Sequence, residues 1–255
     1  MRRVFFSFLL ATLVCPLSRG QSSSSFDSVY SSVIARHGPA VTQAVNAKLD
    51  GTITYPQTAA SGFTLTLQNR QLRFDLSSAE GLSVVRDADL AQATRAGTKR
   101  HFADRSPLYI SGMNLGPVLA LLYFYNDAAY ARSLVAGTSG TNILRFTETL
   151  PAGSVEPPLF RQPKLVVSFL VAGSNEIQSI SYEDTQQTFL PVVYTYLYVD
   201  SVTTPFLQPK NLVCQSGSQV VYSAHVTSAQ LNVTVPANFF RIVVPLAEIL
   251  AHFRA

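Results

Sequence analysis

Val193-Tyr194-Thr195-Tyr196-Leu197-Tyr198-Val199, Val220-Val221-Tyr222-Ser223-Ala224-His225-Val226-Thr227 and Leu231-Asn232-Val233-Thr234-Val235 are three runs in the last third of a 255-residue chain. β-Branched and aromatic residues dominate them, and Pro or Gly-Ser breaks separate them, which predicts an antiparallel sheet. Alternation puts Tyr194, Tyr196 and Tyr198 on one face of the first strand and Val193, Thr195, Leu197 and Val199 on the other. This tyrosine stripe has two readings. It is either core in a strand packed on both sides, or the wall of a cavity whose rings supply apolar area and whose hydroxyls anchor a polar group.

Upstream, the same period of two recurs. Ala47, Leu49, Gly51, Ile53 and Tyr55 share one face, as do Phe63, Leu65 and Leu67, and then Leu72, Phe74 and Leu76 against Arg73 and Asp75. Leu82 to Val85, a stretch near Lys99 to Phe102, Ser133 to Val135, Asn142 to Thr147, Leu165 to Val171, Glu176 to Tyr182 and Asn211 to Cys214 are further strand candidates. Gly137 to Gly140 and Gly173 to Asn175 are turns. Arg86 to Arg105 mixes both signs of charge and reads as a solvated loop or edge.

Two helices interrupt the strands. Phe26, Val29, Tyr30, Val33 and Ile34 fall on one helical face that Gly38-Pro39 ends, with a further turn over Val41 to Val45. Leu115, Val118, Leu119, Leu122 and Tyr123 fall on another, with Pro117 in the first turn. The opposite face, Gly116, Ala120 and Leu121, is hardly polar, so this second helix should be covered on more than one side. Val243 to Phe253 reads as a short helical tail.

Residues 1–20 read as a signal peptide: Arg2 and Arg3, an apolar run from Val4 to Val14 too short for a membrane span, then Ser18-Arg19-Gly20 before Gln21. Its removal takes Arg2, Arg3 and Arg19 and reduces the net charge from +4 to +1, so the pI near 9 is no nucleic-acid footprint. Residues 21–25 form a flexible leader. Cys15 leaves too, and Cys214 stands alone as a small buried hydrophobe.

No catalytic set emerges. Arg36-His37-Gly38 echoes a histidine-phosphatase triplet but closes a helix, where positive charge suits the dipole. His37, His101, His225 and His252 are scattered, without metal-ligand spacing. Glu183-Asp184 reads as a turn rather than an acid–base dyad. Asn232-Val233-Thr234 matches a glycosylation sequon.

The order of elements nevertheless resembles a known family. A helix leads into Leu49-Asp50-Gly51-Thr52-Ile53, then a meander holding Leu72-Arg73-Phe74-Asp75-Leu76. A lid-like helix follows, then Ile180-Ser181-Tyr182-Glu183-Asp184, Val193 to Val199, Pro209-Lys210, Gly217, and the close Leu231 to Phe240. This resembles the outer-membrane lipoprotein-sorting fold, LolA-like and shared with LolB-like proteins. The resemblance covers about residues 26–240, with 241–255 as a C-terminal tail. It implies a mainly β (α+β) domain, a curved antiparallel sheet forming an unclosed half β-barrel under a helical lid. It also implies a periplasmic, non-enzymatic protein without cofactor, whose apolar cavity binds a lipid or acyl chain, with transient membrane contact. The alternative is a regulatory or scaffolding domain that binds an envelope protein; a hydrolase with an unrecognised site is the third reading. Expected lining residues are Phe63, Leu65, Leu67, Leu72, Phe74, Leu119, Leu122, Tyr194 and Tyr196, with Arg73 as the inward residue if the parity of its strand is reversed.

Overall fold

The computed structural model describes residues 25–78, 81–87, 90–102, 112–149, 165–184 and 190–242. The signal segment, most of the leader and the expected tail helix lie outside the described residues.

One 13-stranded antiparallel sheet carries the architecture, in the order β6-β5-β4-β3-β2-β1-β13-β12-β11-β10-β9-β8-β7. The strands are β1 (Ala47–Thr54), β2 (Ser61–Gln68), β3 (Gln71–Ser77), β4 (Leu82–Asp87), β5 (Leu90–Arg95), β6 (Thr98–Phe102), β7 (Tyr130–Ala136), β8 (Asn142–Glu148), β9 (Leu165–Val171), β10 (Ile177–Asp184), β11 (Val192–Val202), β12 (Gln208–Ser216) and β13 (Gln219–Leu231). It is two meanders joined where β1 pairs with β13, and among the described residues β6 and β7 are the outermost strands and do not pair with each other, so the sheet does not close. At the join the register slips between Asp50 and Gly51. Only glycine fits there, because a Cβ on Gly51 would stand 2.2 Å from the His225 carbonyl oxygen.

The apolar parity of β1 to β3 and of β8 to β10 points one way. Leu49 and Ile53, Phe63, Leu65 and Leu67, Leu72, Phe74 and Leu76, Leu144 and Phe146, Val167 and Phe169, and Ile180 and Tyr182 are all buried in one core. Helix α1 (Phe26–His37), capped by the Ser25 hydroxyl, helix α2 (Ala40–Gln43), a 3-10 turn (Met113–Leu115) and helix α3 (Pro117–Tyr125) complete the fold. Phe26 of α1 meets Phe146 edge-on, and Tyr30 stacks on Tyr125 of α3 at 3.8 Å between ring centroids. Arg132 covers the other side of Tyr125, at 4.0 Å from its ring, and donates to the Tyr125 carbonyl. Burial pushes the Tyr30 hydroxyl up to about 12, so this phenol stays protonated.

Several expectations need correction. Leu231 to Val235 is not a strand of its own: β13 is one long strand that ends at Leu231, and Asn232 follows at φ 56°. Asn tolerates that left-handed turn, and here its Oδ1 also accepts from the Val45 amide at 2.8 Å. Of the two readings of 86–105, solvated loop or edge, the described residues follow the edge. The segment contains the end of β4 and the edge hairpin β5–β6, and Arg86 is fully buried because the alternation of Leu82, Val84 and Arg86 carries it to the core side. Glu183 and Asp184 stay within β10 instead of forming a turn. Arg73 points outward, bonded to Asp75 and lying over Phe239. The strand β11 is packed on one face only, since Thr195, Leu197 and Val199 are exposed.

Candidate functional site

Helix α3 lies in the trough of the sheet and is buried almost all round, from Pro117 through Phe124 with only Leu122 half-buried. A helix with no polar face needs an apolar bed on every side. Phe124 has one: Tyr130, Phe146, Phe169 and Tyr182 surround its ring at centroid distances of 5.0 to 6.1 Å.

The tyrosine stripe fixes the entry to this helix. Tyr182 from β10 donates to Asn114 Oδ1 at 2.6 Å, and Tyr196 from β11 donates to the Asn114 carbonyl at 2.7 Å. From β12, Gln208 Nε2 donates to the Leu115 carbonyl at 2.7 Å. Asn114 and Gln208 are fully buried. Three neighbouring strands thus hold the 3-10 turn by polar contacts inside the buried core, where each bond is worth more than at the surface and each loss costs more. Burial drives the phenols of Tyr182, Tyr194 and Tyr196 far up, so they remain donors. Cys214 sits beside Tyr194 and Tyr222, its thiol pushed up by burial to about 11, which makes it a packed hydrophobe and not a nucleophile.

Phe63, Leu65, Leu67, Leu72, Phe74, Leu119, Leu122, Tyr194 and Tyr196 all belong to this one concave assembly. Leu67, Leu119 and Leu122 line a cavity of about 130 Å³ beneath α2, together with Val41, Ala47 and Tyr123. The other six are packed as core or hold α3. Larger clefts lie at the rim of the trough. One of about 550 Å³ is bounded by Tyr55, Ala59, Leu76, Leu82 and Arg95, and a neighbouring one of about 490 Å³ by Leu82, Ala93, Arg95, Thr98 and Arg100.

Asn114, Gln208 and Arg86 escaped the sequence reading. A lone Asn directly before an all-apolar helix was the signal for the first, and the parity of Leu82 and Val84 the signal for Arg86; Gln208 gave none. Arg86 lies 5.8 Å from the centre of the Tyr123 ring on α3. None of its guanidinium nitrogens has a hydrogen-bond partner among the described residues.

The enzyme-like features resolve into structure. His37 is buried at the end of α1, its Nδ1 2.9 Å from the Leu207 carbonyl oxygen and its ring edge-on to Tyr198. Arg36 pairs with Glu176. Among the described residues no group of His, Cys, Asp and Glu could hold a metal ion, and no helix is long and apolar enough to cross a membrane.

No family model and no curated protein matches the sequence. Solved structures do match the fold. A LolA superfamily protein from Nitrosomonas europaea superposes with a TM-score of 0.50 at 10% identity, over 86% of this chain and 98% of that one. A domain from Vibrio parahaemolyticus, named for outer membrane lipoprotein sorting, has a TM-score of 0.49 at 8% identity, over 85% of this chain and 95% of that one. The chain has the LolA-like fold, an antiparallel half-barrel left open at both edges.

Proposed function

We propose that this chain binds or carries a lipid or another hydrophobic ligand in the periplasm, without catalysing a reaction. The observation that carries the reading is the concave face: an unclosed sheet lined by apolar side chains, covered by a helix without a polar face, and opening at its rim into clefts of about 490 and 550 Å³. Clefts of that size suit small apolar ligands, generally about 300–1,000 Å³. Each methylene buried there contributes about 0.8 kcal/mol, so an acyl chain needs few polar contacts to bind usefully. The pocket of about 130 Å³ beside α2 is too small for a long chain while α3 is in place. Ligand therefore enters at the rim, or displaces α3.

Native mass spectrometry of gently purified protein tests this. Co-purified fatty acid or phospholipid, exchangeable for added lipid, supports the reading. Protein that is empty and takes up no added lipid rejects it.

A second reading draws on the outer face, where Leu197, Val199, Val220 and Val221 are exposed on β11 and β13. Exposed apolar side chains of this kind mark docking surfaces when they are contiguous. An envelope protein captured by wild type and released by Leu197→Lys would favour a scaffolding role.

A further inference from the structure

Along β4 to β6 the ladder assigns each side chain to a face. Leu72, Phe74 and Leu76 of β3 point into the core, and they pair with Arg86, Val84 and Leu82. Those residues stand opposite Ala91, Ala93 and, at the strand end, Arg95. Ala93 pairs in turn with Arg100, and Arg95 with Thr98. Directly opposed residues share a face, so Arg86, Arg95 and Arg100 all lie on the concave side. The acidic residues of these strands, Asp75 and Asp87, fall on the other parity, with Arg73, Gln71 and Lys99. The concave side of β4 to β6 thus carries Arg86, Arg95 and Arg100.

The hairpin makes the arrangement firm. Ala96 (φ 48°) and Gly97 (φ 78°) form a two-residue connection with positive φ at both positions, the turn that matches strand twist. Arg95 lies opposite Thr98, and Arg100 is two residues on, so the two arginines are diagonal neighbours about 7–8 Å apart on one face. Both are exposed, and both border the cleft of about 490 Å³. Arg95 and Leu82 also border the adjoining cleft of about 550 Å³, whose other walls include Tyr55, Ala59 and Leu76. An apolar floor therefore runs directly into a pair of guanidiniums. Guanidinium forks recognise carboxylate and phosphate bidentately, and they retain water while doing so at a rim.

We infer that this rim is a binding site for an amphiphile with an anionic carboxylate or phosphate head, the head held by Arg95 and Arg100 and the chain laid over Leu82, Leu76 and Tyr55. The inference rests on the hydrophobic-ligand reading and adds to it the charge of the head group and the place where it sits.

The test uses the full chain, at low and at physiological salt, with paired probes: oleate against methyl oleate, and lysophosphatidic acid against monooleoylglycerol. Wild type should bind each charged probe at least tenfold more tightly than its neutral partner. In the Arg95→Gln, Arg100→Gln double variant that preference should collapse towards one, chiefly through weaker binding of the charged probes. Arg100→Gln alone, at an exposed edge position, serves if the double variant does not fold, and should reduce the preference severalfold. Equal binding of charged and neutral probes by wild type overturns the inference and leaves the hydrophobic-ligand reading standing. A variant that aggregates but keeps the preference also overturns it, because the arginines then only guard an edge strand. Inorganic phosphate at millimolar concentration should not displace oleate; if it does, the rim is a plain anion site and the amphiphile is rejected. If no probe binds, both readings fall together.

Discussion

The two arms of the sheet are built from the same alternation but are filled differently. Over β7 to β12 the concave face is closed by α1, α3 and the 3-10 turn, with interlocked aromatic rings and with Asn114 and Gln208 in a buried polar clamp. Over β3 to β6 the same face is buried at Leu72, Phe74, Val84 and Ala91, and only towards the edge hairpin does it end in exposed Arg95 and Arg100 and the clefts. A half-barrel needs only one arm to hold its helices; the other is then free to stay open. The comparison predicts that substitutions in the closed arm act on stability, and that substitutions in the open arm act on ligand.

The strongest way to break the comparison is Phe124→Ala. The ring is fully buried among Tyr130, Phe146, Phe169 and Tyr182. A truncation of this kind costs about 3–5 kcal/mol, as transfer energy lost plus a cavity gained. Urea unfolding should show that loss with an unchanged slope. A cost below about 1 kcal/mol would mean that α3 is not part of the stable core and acts as a loose lid.

Next comes the clamp. Tyr182→Phe removes the 2.6 Å donor to Asn114 Oδ1, leaving Tyr194 as the side chain bonded to Asn114, and should cost about 1–3 kcal/mol. Asn114→Ala should cost a similar amount, and the two together less than their sum. The double-mutant cycle reads the coupling directly. Full additivity would show that the 2.6 Å bond contributes nothing to holding the turn.

Arg86 sharpens the boundary between the arms. It reaches the Tyr123 ring from the open arm, fully buried and without a hydrogen-bond partner among the described residues. Desolvating a guanidinium is costly, and the attraction to one aromatic ring offsets only part of that cost. Arg86→Met keeps the length and removes the charge, so it should raise stability by about 1–2 kcal/mol. A clear loss instead would assign the guanidinium a carboxylate or carbonyl partner and make Arg86 part of the closed arm.

Much of this contrast was legible in the residues. The parity of Phe63 to Leu67 and of Leu72 to Leu76, the apolar helix at Pro117 and the Gly38 stop gave the sheet face and the helices directly, because burial on one face writes itself as a period of two. The direction of the tyrosine stripe was not legible, since Thr195, Leu197 and Val199 look as apolar as a second buried face, and only pairing shows that nothing covers them. The arginine rim was hidden for a different reason. The stretch 86–105 is rich in charge, and charge reads as solvation until the register of β4, β5 and β6 sorts it onto two faces.

The smallest expected effect concerns pH. His37 ends α1 in the closed arm, with Leu207, Tyr198, Glu176 and Arg36 around it. Burial is the main influence and lowers its pKa below the ordinary 6.5; the Leu207 carbonyl and Glu176 oppose that shift and Arg36 reinforces it. Below 6.5 the unfolded chain takes up a proton that the folded chain refuses, so this group's contribution is fully present above that value and declines as the pH falls towards the folded pKa. In His37→Gln the amide keeps a donor for Leu207 and does not titrate. The stability difference between wild type and this variant should therefore hold from pH 7.5 to near the ordinary pKa and shrink from there to pH 5, while the contributions of groups common to both cancel. Parallel curves across that range would mean that His37 is hydrated enough to titrate normally, and that the closed arm is open to water at the end of α1.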